Sequence, residues 1–187
     1  MTESAPESDI ETPFSAPLGT AEMAARREVA FRLEPDAGAR QRIAAALGLL
    51  ELRKLRFEGR VTPEGRRDWR LEGQLGATVR QACVVTLRPV TTRIDQPVTR
   101  RFVAGLAPPE GAEAEIPEDD TLEPLGETID PGAVMVEALA LALPLYPRAE
   151  DAALDESHFG PEGAAPLTDE AMRPFAGLAE LKKKLEK

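Results

Sequence analysis

Apolar and polar side chains alternate with a period of two at 28–33, where Val29, Phe31 and Leu33 oppose Glu28, Ala30 and Arg32, the pattern of a half-buried strand. The period then lengthens. Ala39, Ile43, Ala46 and Leu47 share one face of a short helix expected over 36–47, with Asp36 as N-cap and Gly48 as its stop. Alternation resumes in a hairpin. Leu55, Phe57 and Val61 oppose Lys54, Arg56, Glu58 and Arg60, and the turn-rich stretch 62–67 reverses the chain. On the return, Trp69, Leu71, Leu75 and Val79 oppose Arg70, Glu72, Gln74 and Arg80. Further strands are expected around Cys83, Val85 and Leu87, then around Ile94, Val98 and Phe102. Pro97 interrupts the last and belongs to an edge or a bulge, because it cannot donate to a central ladder. The glycines at 59, 73 and 76 lie inside strand patterns rather than before helices. They suit a sharply bent sheet, not a phosphate loop.

The pattern breaks down at 108–127, a stretch of Pro, Gly and acids with the composition of a mobile loop. Asp130 and Pro131 then read as an N-cap and a first-turn proline for a helix that is apolar nearly all round, with Glu137 as its one charge. Such a helix is buried or covered by a partner. Pro144 and Pro147 end it. Residues 148–168 are again acidic, and 173–187 read as a short amphipathic helix. There Phe175, Leu178, Leu181 and Leu185 lie near one face, and Lys182, Lys183 and Lys184 complement the dipole at its end. Residues 1–20 are acidic and rich in Pro, Ser and Thr, and are expected to be mostly disordered.

These elements predict an α+β fold: a strongly bent antiparallel sheet packed by two or three helices, with acidic flexible loops. A single domain is expected over 21–187, sheet-rich and basic at 26–103, acidic with loops and helices at 104–187. Charge sharpens that division. Residues 26–101 hold 17 basic and 9 acidic side chains, whereas 106–187 hold 6 basic and 19 acidic, within a formal net charge of −10. The asymmetry fits a polyanion-binding body with an acidic appendage, and equally a solvated surface with a flexible acidic loop. The beginning of the chain has no secretory pattern, and the longest apolar stretch, 138–145, is far shorter than a bilayer span. With one cysteine and no disulfide framework, the chain is expected in the cytoplasm, away from membranes.

Catalysis needs a nucleophile with its base, a carboxylate pair in a cleft, a metal cage or a phosphate-cradling loop, and no spacing here specifies one. The sole histidine, His158, stands beside Asp155 and Glu156, which could make a three-ligand metal site, but an acidic loop carries such residues by chance and that reading is preferred; Cys83 reads as a core cysteine. Neither a metal nor a cofactor is expected. The remaining chemistry is the outer face of the hairpin, where Lys54, Arg56, Arg60, Arg66, Arg67, Arg70 and Arg80 are candidates for RNA phosphates, to which the guanidinium fork is matched. Exposed aromatics for base stacking are not interleaved with them. Phe175, Leu178, Leu181, Lys182, Lys183 and Lys184 are candidates for a partner-binding helix. Glu137 is expected as a buried carboxylate paired with a sheet arginine, the other reading being a solvent-facing residue.

Three stretches, QACVVTLRPV at 81–90, IDPGAVMVEALALALPLYPR at 129–148 and RPFAGLAELKKKLEK at 173–187, resemble in order and spacing the YceD family, the large ribosomal RNA subunit accumulation proteins of bacteria and chloroplasts. The resemblance covers most of residues 14–187. It implies a non-enzymatic role in accumulation or maturation of large-subunit rRNA, with that rRNA or a pre-ribosomal particle as partner. An adaptor or chaperone for a ribosomal protein is the competing expectation. Many members have a second cysteine soon after the position matching Cys83, and others near the C-terminal end. Here Thr86 stands in that neighbourhood and no cysteine follows, so a metal site of such relatives is not available to this chain.

Overall fold

A computed structural model of the chain describes residues 12–106 and 121–153. The hairpin is the centre of the fold. Strands β2 (Val29–Leu33), β3 (Glu51–Glu64), β4 (Asp68–Ala82), β5 (Pro89–Val103) and β6 (Leu122–Pro124) form one sheet in the order β2-β3-β4-β5-β6. All pairs are antiparallel except β5 with β6. The fold is thus α+β with a mostly antiparallel sheet. A second, two-stranded sheet joins β1 (Leu18–Gly19) to β7 (Thr128–Ile129). The helices are α1 (Thr20–Met23), α2 (Ala37–Ala46) and α3 (Pro131–Ala142). The chain divides into two units, Met1–Glu150 and Asp151–Lys187; the description below concerns the first.

Alternation sorts the two faces of the sheet as the sequence predicts. Leu55, Phe57, Val61, Trp69, Leu71, Leu75 and Val79 are buried on the inner face, against α3 residues that include Val134, Met135 and Leu139. Each such side chain contributes about 1.5–3 kcal/mol by leaving water, and all belong to one apolar cluster. Two glycines make that packing possible. Gly59 and Gly73 are register partners; a Cβ on Gly73 would lie 2.6 Å from Phe57 Cε2, and one on Gly59 2.9 Å from Phe31 Cζ. The vacated volume holds the Phe31 and Phe57 rings, whose centroids are 5.0 Å apart and tilted by 51°.

Helix boundaries follow local chemistry. The Asp36 carboxylate accepts from the Ala39 N–H at the start of α2, and Gly48, at φ +63°, follows its end. Ala39, Ile43 and Ala44 face the core, Ala44 replacing the expected Ala46. At α3, the Asp130 carboxylate accepts from Gly132 and Ala133, and Pro131 begins the helix. Seven of the twelve residues of α3 are buried; Leu141 and Glu137 are on its open side.

Four expectations need correction. No strand forms around Cys83, Val85 and Leu87. The segment is a turn closed by Cys83 N–H donating to Arg88 O and Leu87 N–H to Cys83 O, with Leu87 at φ 58° and largely exposed. Residues 122–124, expected within a loop, form β6, because Arg101 N–H donates to Thr121 O and starts a parallel ladder. Residues 12–20, expected within a disordered tail, are seated on the body. Phe14 and Leu18 pack on the core, and Asp130 binds both the Ser15 hydroxyl and the Ala16 N–H. Glu137 does pair with a sheet arginine, but its own side chain is 53% exposed, and the member more withdrawn from water is Arg100 at 13%. Pro97 meets its expectation: it pairs with Gln74 of β4 on one side, and β6 reaches only Arg101 to Val103 on the other.

Candidate nucleic-acid interface

The register of β3, β4 and β5 decides which cations share the outer face. Lys54 lies across from Thr78 and then Arg93; Arg56 across from Gly76 and Asp95; Arg60 from Glu72 and Thr99; and Arg70 sits between Thr62 and Arg101. The side chains of this face from Lys54 to Arg101 are exposed or half-exposed apart from the glycine at 76, and the segment between β2 and α2 borders it at the Lys54 end. Arg66 and Arg67 occupy the exposed turn between β3 and β4. The face therefore brings six of the seven candidates into one surface with the turn, and Arg80 joins it at the far end of β4.

Much of the positive charge is neutralised in place. Arg60 contacts Glu72 at 3.4 Å and Glu28 at 3.9 Å; Arg70 binds Glu64 and approaches Glu72; Arg80 binds Glu51 at 2.9 Å. Arg101, which the sequence reading omitted, also binds Glu64, at 2.9 Å. The hydrogen bonds from Arg70 and Arg101 hold the Glu64 carboxyl below its ordinary value, and those from Arg80 and Arg53 do the same for Glu51. Acids and bases on facing strands thus alternate in a nearly neutral lattice. Among the described residues, Lys54, Arg56, Arg66 and Arg67 have no ion pair within 4 Å. They form two groups, one on β3 and one in the turn, separated by roughly 30 Å of strand.

The β3 group borders a groove of about 430 Å³ where β2 has ended and the chain turns toward α2. Arg40, Arg53 and Arg93 line it along with Lys54 and Arg56. These three were missed by the sequence reading, although the alternation of Arg93 with Asp95 along β5 is a signal that finds one of them. Arg40 donates to Pro35 O, Arg53 binds Glu51, and Arg93 binds Asp95 at 2.5 Å. The Asp95 carboxyl is held below its ordinary value by the Arg93 hydrogen bond, with Arg56 adding its charge. Arg56 lies across Gly76: a Cβ there would be 2.8 Å from Arg56 Nε and 3.2 Å from Asp95 Oδ1. The glycine leaves space for the arginine stem to run toward β5.

Cys83 is buried, as expected of a core cysteine, and its thiolate is favoured. The thiol is pulled down to about 6, chiefly by the Thr86 hydroxyl and then by N–H groups of Ala149, Thr86 and Val85, against the opposing effect of burial. Its sulfur accepts those three N–H groups at 3.4 Å, so it organises the turn after β4. Among the described residues, no group of three or more His, Cys, Asp or Glu side chains is placed to hold a metal ion. His158 and the helix candidates Phe175, Leu178, Leu181, Lys182, Lys183 and Lys184 lie outside the described residues. No described helix is long and apolar enough to cross a membrane.

None of the curated proteins and none of the solved structures compared with the chain matches it. A family model does. The model described as large ribosomal RNA subunit accumulation protein YceD matches residues 71–182, more than half of the chain, from near the start of β4 through α3 and beyond. It is not a known enzyme family, and its description ties it to large-subunit rRNA. The turn held by Cys83 and the Asp130-capped apolar helix, the two most particular features of the matched span, are elements of a chain that belongs to the YceD family.

Proposed function

We propose that this protein supports accumulation or maturation of large-subunit rRNA by binding rather than by catalysis, with the outer face of its sheet against RNA phosphates. The observation that supports this most is the set of unpaired cations, Lys54, Arg56, Arg66 and Arg67, on the exposed outer face of the sheet and its turn. Phosphate contacts of this kind release condensed counterions, so association weakens steeply with salt. The test is a deletion strain complemented with Arg56→Glu/Arg67→Glu. Loss of large-subunit rRNA and of RNA binding, with an unchanged melting temperature, is expected; full rescue of rRNA levels overturns the reading.

A second reading is a protein-only adaptor or chaperone for a ribosomal protein. It is favoured by Leu141, Tyr146 and Leu145, whose exposures are 73%, 80% and 86%. Co-purification separates the two. Ribosomal components lost after nuclease treatment support RNA contact, and a ribosomal protein retained after it supports the adaptor.

A further inference from the structure

The lattice of ion pairs and the groove at its end bear on which form of RNA fits. A duplex bound by its backbone presents phosphates in regular rows and keeps its bases stacked inside. Opposite such rows the outer face offers Arg60, Arg70 and Arg80, each already held by a glutamate. Free charge is confined to its two ends. At one of them the surface is concave, about 430 Å³, which lies in the range of small-ligand sites.

Resting on the RNA-binding reading above, we propose that this groove takes one unstacked nucleotide of single-stranded RNA, with its phosphate on Lys54 and its base against Arg56 where that side chain crosses Gly76. Sequence-tolerant binding of single strands needs a cation for the backbone and a planar surface for the base. Lys54 supplies the first, being exposed and without an ion pair among the described residues. No aromatic ring lines the groove, and an arginine guanidinium is the other plane on which unpaired bases stack. Arg56 is directed there by Gly76, because any larger residue would displace its stem.

The groove also selects among bases. Glu34, Asp36 and Asp95 line it; they accept from Arg32, the Ala39 N–H and Arg93 but keep further lone pairs, and a carboxylate oxygen accepts hydrogen bonds. Adenine and cytosine offer exocyclic amino groups to such acceptors, whereas uracil has a carbonyl oxygen where cytosine has its amino group and keeps N3–H as its one base donor. The site therefore favours adenine or cytosine over uracil.

Fluorescence anisotropy with labelled RNAs of about 10 nucleotides tests this, using oligo(A), oligo(C), oligo(U) and a blunt duplex of the same length. The wild-type chain is expected to bind oligo(A) and oligo(C) more tightly than oligo(U) and the duplex. Gly76→Val, which fills the groove and pushes Arg56 aside without changing the number of charges, is expected to weaken oligo(A) about tenfold and to remove the preference over oligo(U). Lys54→Gln is a second variant on an exposed side chain with no fold to disturb, and should lower the salt slope for oligo(A) by about 0.7, the value of one single-strand phosphate contact. If Lys54→Gln and a folded Gly76→Val bind oligo(A) as the wild type does, while Arg66→Glu/Arg67→Glu does not, the groove assignment is wrong and RNA binding by the face stands. If the wild-type chain binds none of the four RNAs, the RNA reading itself falls and takes the groove with it.

Discussion

Arg60 and Arg100 are arginines of the same sheet, each held between two glutamates, on opposite faces. Arg60 points outward, 56% exposed, with Glu72 at 3.4 Å and Glu28 at 3.9 Å. Arg100 points inward, 13% exposed, with Glu137 at 2.8 Å and Glu123 at 3.0 Å, so that it ties β5 to β6 and α3. The chemistry is alike and the surroundings differ. On the wet face, water competes for every charge and the pairs set the electrostatic texture of a surface. On the packed face Arg100 is largely withdrawn from water while its two glutamates reach toward the solvent, so the cation is the member that most needs its partners.

Removal of the inward arginine should give the largest effect. Arg100→Ala leaves Glu123 and Glu137 near each other with no cation and, because both glutamates keep contact with solvent, is expected to cost about 2–3 kcal/mol in denaturant unfolding; a loss below about 1 kcal/mol would mean that the inner triad behaves like a surface one. Next comes Glu137→Lys, which sets an ammonium beside Arg100 and should cost about 2 kcal/mol, against under about 1 for Glu137→Leu. Equal melts for the two variants would show that Arg100 is satisfied by Glu123 alone.

Acidity separates the faces by sign. Glu64, on the outer face, has its pKa lowered by Arg70 and Arg101 from an ordinary 4.5. Its stabilisation is full above 4.5 and is lost as pH falls through the lowered value, so Glu64→Gln should destabilise at neutral pH and converge on the parent in acid. Glu123, on the inner side, has its pKa raised, first by burial and then by the charge of Glu137. Its contribution is full below 4.5 and is lost as pH rises through the raised value. Glu123→Gln should therefore be milder than Glu64→Gln at neutral pH, a ranking that melts across a pH series would reverse if the burial argument is wrong. The smallest effect belongs to Arg60→Ala, at under about 0.5 kcal/mol; a larger loss would make the outer lattice a structural device.

Legibility in the sequence followed the length of the repeating signal. The hairpin extends over 14 and 15 residues, long enough for alternation to specify both faces, and the caps at Asp36 and Asp130 are visible because one carboxylate meets free N–H groups in the next turn. Three alternating residues at Cys83, Val85 and Leu87 were too few. A sulfur that accepts the N–H groups two and three residues on turns the chain there, and no hydropathy pattern records that. Arg100 was hidden for a related reason: Gln96 and Arg100 interrupt the inner row of Ile94, Val98 and Phe102, and their polarity argues for the wrong face until Glu123 and Glu137 arrive from elsewhere in the chain. The candidate cations were legible as residues. Which of them are already spent on glutamates depends on register, and the groove depends on where β2 ends, so neither was.

The seat of Ser15 and Ala16 on Asp130, across 115 and 114 residues of sequence, has a consequence in time. During synthesis the segment that carries them leaves the ribosome long before the aspartate that receives it. The β3–β4 hairpin, whose partners are close in sequence, is able to close meanwhile, but the start of α3 is complete only when the earlier-made segment around β1 is drawn back to β7 and Asp130. A Cβ on Gly132 would lie 2.7 Å from Ala16 N, so there is little slack in that step: the earlier-made segment acts as its closing latch, and the slowest phase of refolding should be the one that Ser15 and Ala16 report.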